Sequence, residues 1–207
     1  MKLFIEGARL SFAYQLFNAE AMEEGQTKKF GADFILEETT KVYKVTSVDG
    51  KNVRTPITAA AAMIEVANET WKGKGKEMLA ALESSKKCLR NGDARLSSSG
   101  EVYVGYEGKL YFSAKNATRP TILDKDKTPL TEADGKPYSG CYVNASIEIY
   151  GMSDMKKKGV HASLKGVQFH SDGESFGGGG VASPDEFDDL GDTGGGAASS
   201  TSDNDLF

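Results

Sequence analysis

The 207-residue sequence has little cysteine and histidine, two of each, and it lacks a long hydrophobic run. Because no stretch of about 18 apolar residues occurs, no transmembrane helix is predicted. The apolar run after Met1 is short and Glu6 interrupts it, so a secretory signal peptide is not expected. We therefore expect a cytoplasmic protein without membrane contact. In that reducing compartment, Cys88 and Cys141 are predicted to be free thiols.

The residue patterns of common catalytic and metal sites are also missing. His161 and His170, like the two cysteines, show no zinc-ligand spacing. Neither a Gly-x-Ser-x-Gly nucleophile elbow nor a Walker A loop occurs. Asp124 and Asp126 alternate with lysines, a pattern more typical of a solvated turn than of a metal site. We predict no catalytic residues, no metal and no cofactor.

Charge is distributed unevenly along the chain. The total of 25 basic and 30 acidic side chains gives a net charge of −5. Nine of the acidic side chains, and no Lys or Arg, lie in residues 171–207, which leaves residues 1–170 with a net charge of +4. A basic body followed by an acidic segment suggests contact with nucleic acid or an interaction tail.

The acidic segment is also rich in glycine and serine, so we predict that residues 171–207 form a disordered, flexible tail. Its last residues change character, because two carboxylates precede two large apolar side chains. We interpret this tip as a short motif that binds a partner protein, with a mere solubility tail as the alternative. The partner-binding candidates are Asp203, Asp205, Leu206 and Phe207.

Residues 1–170 alternate apolar and polar side chains in the manner of β-strands. Strands are predicted around residues 9–14, 28–36, 110–112, 141–150 and 160–169. Asp49-Gly50, between apolar residues at 42–45 and 53, predicts a hairpin turn. In the last strand the alternation changes phase at Gly166, which predicts a β-bulge.

A helical pattern interrupts the strands at about 56–85. Thr55-Pro56 is typical of a helix N-cap and first turn. A second, shorter helix is predicted around residues 78–82. The first helix is predicted to bury a stripe formed by Ile57, Ala60, Ala61, Ile64, Ala67 and Trp71.

This order of elements predicts a mainly β protein: an OB-fold-like barrel of five to seven strands with a helical insertion and a disordered acidic C-terminal tail. The barrel would occupy residues 1–170 and the tail residues 171–207. A β-sandwich is the alternative architecture.

Positive and aromatic residues gather on the predicted strands and their loops. Single-strand binding needs a basic groove for phosphates and aromatic faces for bases. Lysines 156–158, in contrast, are more typical of a solvated hairpin tip. The DNA-binding candidates are Lys28, Lys29, Phe30, Lys86, Lys87, Arg90, Arg95, Tyr103, Tyr106, Lys109, Tyr111, Phe112, Lys115 and Arg119.

Several stretches resemble a phage single-stranded DNA-binding family. They include Ala8-Arg9-Leu10-Ser11-Phe12, Leu89-Arg90-Asn91-Gly92-Asp93 and, most specifically, Tyr138-Ser139-Gly140-Cys141-Tyr142-Val143. The resemblance covers residues 8–36 and 88–190, and the 41–55 hairpin looks like an insertion. It implies an OB-fold barrel that coats single-stranded DNA in phage replication or recombination inside the host cytoplasm. It also implies an acidic tail that recruits replication or recombination proteins.

Three functions are carried forward. The first is a sequence-tolerant single-stranded DNA-binding protein that is not an enzyme, with homo-oligomerisation left open. The second is a phage structural or decoration protein with a solubilising tail. The third is a nuclease or other DNA-processing enzyme that uses the Asp and Glu side chains, which Mg²⁺-dependent loss of DNA would reveal.

Overall fold

The computed structural model describes residues 1–21, 25 and 27–176, which belong to one compact unit. Within the described residues there are nine strands and three α-helices. The strands are β1 (Lys2–Ser11), β2 (Phe30–Ile35), β3 (Lys41–Val48), β4 (Lys51–Pro56), β5 (Leu89–Asn91), β6 (Leu110–Asn116), β7 (Thr121–Leu123), β8 (Tyr142–Met152) and β9 (Gly159–Ser171). The helices are α1 (Tyr14–Phe17), α2 (Ala59–Thr70) and α3 (Gly75–Ala81).

Strand β1 lies at the centre of the sheet and bends at Gly7. Its first half pairs with β3, its second half pairs with β2, and β8 follows its other edge. The register with β8 shifts between Ile5 and Ala8, and Gly7 there has a φ of 68°, a conformation that glycine adopts without steric cost. β1 ends at Ser11 and Tyr14 begins a helix, so the predicted first strand through residue 14 extended too far.

The sheet curls until its two sides meet. The strand order is β5-β6-β2-β1-β8-β9-β7. The backbone N–H of Cys88 donates to the carbonyl of Val160 in β9 at 2.8 Å, and its carbonyl accepts from the N–H of Ser113 in β6 at 2.8 Å. Because one residue bonds to both sides, it closes the sheet in the manner of a barrel.

The predicted mainly β class with a helical insertion is confirmed. The strand number exceeds the predicted range by two, because the three-residue strands β5 and β7 were not predicted. That hairpin turns at Asp49 and Gly50, both with positive φ, as predicted for this dipeptide. The predicted bulge in β9 is also confirmed, because Ser146 pairs with Gly166 while the next residue of β8, Ile147, pairs with Leu164.

The predicted phase of the first helix is wrong. Strand β4 continues through Pro56, and the helix begins only after Thr58, whose Oγ1 accepts from the N–H of Ala61 at 3.1 Å. The buried face of α2 is rotated from the predicted stripe: of that stripe Ala67 is buried, and Ile57 and Trp71, at the two ends of the helix, are half-buried against the core. The buried residues of α2 are Ala59, Ala62, Met63, Val66 and Ala67.

Candidate nucleic-acid interface

A groove runs over the side of the barrel formed by β2, β5, β6 and the start of β9. Its floor includes Asp33 and Ser113, and the Tyr150 and His161 rings line its β8–β9 end. A continuation of the groove passes over residues 20, 21 and 27 towards Lys29. Among its described lining residues, five carry positive charge: Lys29, Lys87, Arg90, Arg95 and Lys115.

The pKa of Lys115 reflects how close these cations lie to one another. Burial lowers the pKa of its ammonium group, and Arg90, Arg95 and Lys29 lower it further, against the opposing effect of the Asp33 carboxylate. Each of these cations disfavours another positive charge at this position. A polyanion in the groove would relieve that repulsion.

Arg95 is held in place by a buried carboxylate and two rings. Its Nη2 lies 3.3 Å from Oδ2 of Asp33, which is 4% exposed. Burial lowers the pKa of Arg95, but Asp33, Tyr111 and Tyr106 together outweigh this effect and the net shift is upward. The guanidinium carbon also lies 4.7 Å from the ring centroid of Phe12 and 5.6 Å from that of Tyr103. Arg95 is therefore a fixed cation on the groove wall.

The turn after β1 brings Phe12 to the groove. Phe12 has a φ of 58°, which is uncommon for a bulky residue and is typical of functional turns. Its ring contacts the edge of Tyr103 at a centroid distance of 5.4 Å. The turn thus places Phe12, which follows the last residue of β1, in the wall of the groove.

A second aromatic pair lies at the β8–β9 end of the groove. Tyr150 and His161 face each other across the two strands, with ring centroids 5.9 Å apart and an angle of 42° between the rings. Tyr150 is 43% exposed. This pair therefore presents open ring surface to the groove.

Five of the predicted DNA-binding residues thus meet in one groove, and six others lie outside its described lining. Lys28 is exposed, Phe30 and Lys86 are half-buried, and Tyr103 contacts the groove only through Phe12 and Arg95. Lys109 forms an ion pair with Glu37 at 2.8 Å. The guanidinium of Arg119 lies 5.9 Å from the Phe17 ring.

Three predicted base-stacking residues need correction, because the structure buries them. Phe112 is fully buried in the main core, and Tyr106 and Tyr111 pack against Ile35 in a smaller cluster. The Tyr106 hydroxyl donates to Oδ2 of Asp33 at 3.0 Å. A base cannot stack on these rings in this conformation, so they support the groove from below.

Sequence reasoning missed Phe12, Tyr150 and His161. Phe12 continues the alternation of apolar and polar residues in β1, a pattern that predicts a strand residue facing the core. Tyr150 occupies the polar side of the β8 alternation, where Asn144 and Ser146 also lie. An aromatic ring on the polar side of a strand was a signal that could have found it.

The chain leaves β9 in a packed conformation. Nη2 of Arg9 donates to the carbonyl of Glu174 at 2.9 Å, and its guanidinium lies 4.5 Å from the Phe176 ring centroid. The N–H of Phe176 donates to the carbonyl of Ser139 at 3.0 Å. The predicted partner-binding residues Asp203, Asp205, Leu206 and Phe207 lie outside the described residues.

None of the described helices has the length and apolar character needed to cross a bilayer. The described residues contain no group of three or more His, Cys, Asp and Glu side chains placed to hold a metal ion.

This protein has a barrel-like sheet and a basic groove edged by aromatic rings. These features are typical of the class of β-proteins whose surface suits a single nucleic-acid strand. The chain belongs to the family described as Enterobacter phage Enc34, ssDNA-binding protein, whose model matches residues 1–197. The predicted family resemblance is thereby confirmed.

Individual relatives agree with this assignment. A protein of Acyrthosiphon pisum secondary endosymbiont phage 1, named putative protein p50, is 40% identical over 195 residues, which cover 92% of this chain and 94% of that one. The single-stranded DNA-binding protein from bacteriophage Enc34, in complex with ssDNA, shares the fold with a TM-score of 0.59 at 19% identity over 85% of this chain and 89% of that chain. Another structure of the Enc34 protein has a TM-score of 0.59 at 18% identity, covering 90% of each chain.

Proposed function

We propose that this protein binds single-stranded DNA, without preference for sequence, during phage DNA replication or recombination. The observation that carries the proposal is the crowded cation cluster around Lys115, whose pKa is lowered by burial and by its cationic neighbours. Contacts between cations and phosphates are independent of sequence. Membership in the Enc34 family supports DNA as the ligand.

The aromatic pairs support a single strand over a duplex. Unpaired bases expose their faces, which stack on aromatic side chains, whereas duplex bases are already stacked on one another. The groove offers such rings at Tyr150 and His161. We propose a binding protein and not an enzyme.

The test is a titration of labelled oligo-dT, duplex DNA and RNA of equal length at two salt concentrations. We expect tighter binding to oligo-dT than to duplex and a steep loss of affinity with salt. Lys29→Gln removes an exposed groove cation and should weaken binding, whereas Lys51→Gln, at the exposed β3–β4 turn, is the matched control. Equal affinity for duplex, or affinity that does not change with salt, would contradict the groove assignment and favour a structural protein. Loss of the oligonucleotide with Mg²⁺ would instead indicate a nuclease.

We also propose a division into a DNA-binding body and an acidic tail. The predicted boundary lay at 170/171, but residues 172–176 are held to the body, so the proposal begins the tail at residue 177. Seven of the nine acidic side chains lie in residues 177–207. The proposed role of this tail is recruitment of replication or recombination proteins through its last residues.

Two truncations test the tail. Removing Leu206 and Phe207 keeps all seven carboxylates and should abolish binding to the phage or host replication polymerase, measured by surface plasmon resonance, while DNA affinity stays unchanged. Removing residues 177–207 should in addition tighten DNA binding at low salt, because seven negative charges no longer compete with phosphates. Normal polymerase binding by the two-residue truncation would overturn the recruitment role.

A further inference from the structure

We propose that Tyr150 and His161 form a stacking platform for one unpaired base at the β8–β9 end of the groove. The proposal rests on the proposed single-stranded DNA binding and assigns it a base subsite. The sequence predicted base stacking at other rings, and the structure buries three of those. The rings that line the groove are therefore the candidates for a stacking platform.

The other ring in the described groove lining is already covered. Phe12 is half-buried, the guanidinium of Arg95 lies 4.7 Å from its centroid, and the ring of Tyr103 meets it at 5.4 Å. A base would have to displace an arginine that Asp33 holds in place. Tyr150, in contrast, has the His161 ring as its aromatic neighbour and remains 43% exposed.

The position of Tyr150 is supported from behind. The next residue in β8, Gly151, lies so close to Thr70 at the end of α2 that a side chain there would collide with the threonine. Tyr150 also lies between Ile149, which is fully buried, and Gly151, which pairs with the buried Val160. A ring on such a rigid strand loses little conformational entropy when a base stacks on it.

The position of His161 is fixed by the adjoining loop. Its Nε2–H donates to the carbonyl of Lys157 at 3.0 Å, since a carbonyl can only accept. That loop contains lysines 156–158, and Lys87, which lines the same groove, pairs with Val160 next to His161. Cations therefore lie next to the rings, as a stacked nucleotide with a charged phosphate on each side requires.

The experiment compares oligo-dT with an abasic oligonucleotide of equal length, which keeps the phosphates and lacks the bases. Tyr150→Leu should weaken oligo-dT binding about 5- to 150-fold, the range for one lost base–aromatic stack, and leave abasic binding unchanged. Tyr150→Phe keeps the ring and should bind both ligands like the wild type. Tyr14→Leu is the matched control, because Tyr14 is 60% exposed and lies outside the groove lining. Melting temperatures establish that each variant is folded.

The outcomes separate this inference from the function on which it rests. If the wild-type protein fails to bind oligo-dT, the proposed function is wrong. If it binds and Tyr150→Leu binds equally well, the platform is wrong. A loss that is equal for oligo-dT and the abasic strand also overturns the platform, because it assigns Tyr150 to the backbone or to the fold.

Discussion

Lys115 lies at the centre of the groove, and its replacement should separate DNA binding from stability. The proposed variant is Lys115→Met, which removes the charge and keeps an unbranched apolar stem. That stem matters because Cγ of Lys115 lies close over Gly31 of the neighbouring strand, 3.1 Å from where a Cβ would stand. We expect weaker binding to single-stranded DNA without a loss of stability.

Counterion release sets the magnitude of the binding effect. Each phosphate contact contributes about 0.7 to the slope of log K against log salt for a single strand. One contact fewer therefore lowers the association constant about eightfold at about 50 mM salt and about threefold at about 200 mM, taking about 1 M as the concentration where the effect vanishes. If all five groove cations contact phosphates, the wild-type slope is about −3.5 and that of the variant about −2.8.

The stability effect follows from the lowered pKa of Lys115. Its ordinary value is 10.5, and burial together with Arg90, Arg95 and Lys29 lowers it in the folded protein. Between the lowered value and 10.5 the unfolded chain binds more protons, so stability rises with pH across that window. Below this pH range Lys115 is charged in both the folded and the unfolded protein, and its charge destabilises the folded state. The variant should therefore be at least as stable as the wild type at neutral pH, and its advantage should shrink as the pH approaches 10.5.

The measurements are fluorescence anisotropy with oligo-dT over a salt series and urea unfolding over a pH series. Lys51→Met is the matched control, since Lys51 is exposed at the β3–β4 turn, and it should change neither quantity. A variant with the wild-type salt slope would show that Lys115 contacts no phosphate. A variant that unfolds more easily at neutral pH would refute the crowding of cations.

Three further substitutions or reagents test the structure. Burial raises the pKa of the Cys141 thiol to about 12, so a thiol reagent should label it only after denaturation. Gly140→Ala should lower the free energy of unfolding by about 1–3 kcal/mol in urea titrations, because Gly140 has a φ of 105° and a Cβ would collide with the carbonyl of Glu174. Tyr106→Phe should lower the free energy of unfolding by about 1–3 kcal/mol, because it removes the hydrogen bond that the Tyr106 hydroxyl donates to the buried Asp33 carboxylate and leaves Arg95 as the partner of that group.

Where apolar and polar residues alternate strictly, the local pattern predicted which side chains of a strand are buried. Val143 and Ile147 of β8 are fully buried, as predicted, because the period of two assigns every second side chain to the core. The Asp49-Gly50 turn and the bulge at Gly166 were also predictable, since each depends on the backbone freedom of glycine within a few residues. In α2 the same approach failed, because Pro56 extends β4 and thereby rotates the helix.

The candidate site was predictable in part. Lys29, Lys87, Arg90, Arg95 and Lys115 were named from charge and position, and the structure brings them into one groove. The aromatic residues of the groove were not predictable in the same way. The sequence around an aromatic residue in a strand does not show whether its ring faces the core or the solvent. The structure buries Phe112 and exposes Tyr150.

Composition and short-range patterns were enough to predict the β class, the basic body, the acidic segment at 171–207 and the family. These properties depend on composition and on contacts between residues that are near in the chain. Which rings face the groove follows instead from the folded barrel, in which β1 bends at Gly7 and Cys88 bonds to both β6 and β9. The pairing of residues more than 70 positions apart, such as Cys88 with Val160, follows from the packing of the whole barrel, and no local pattern contains it.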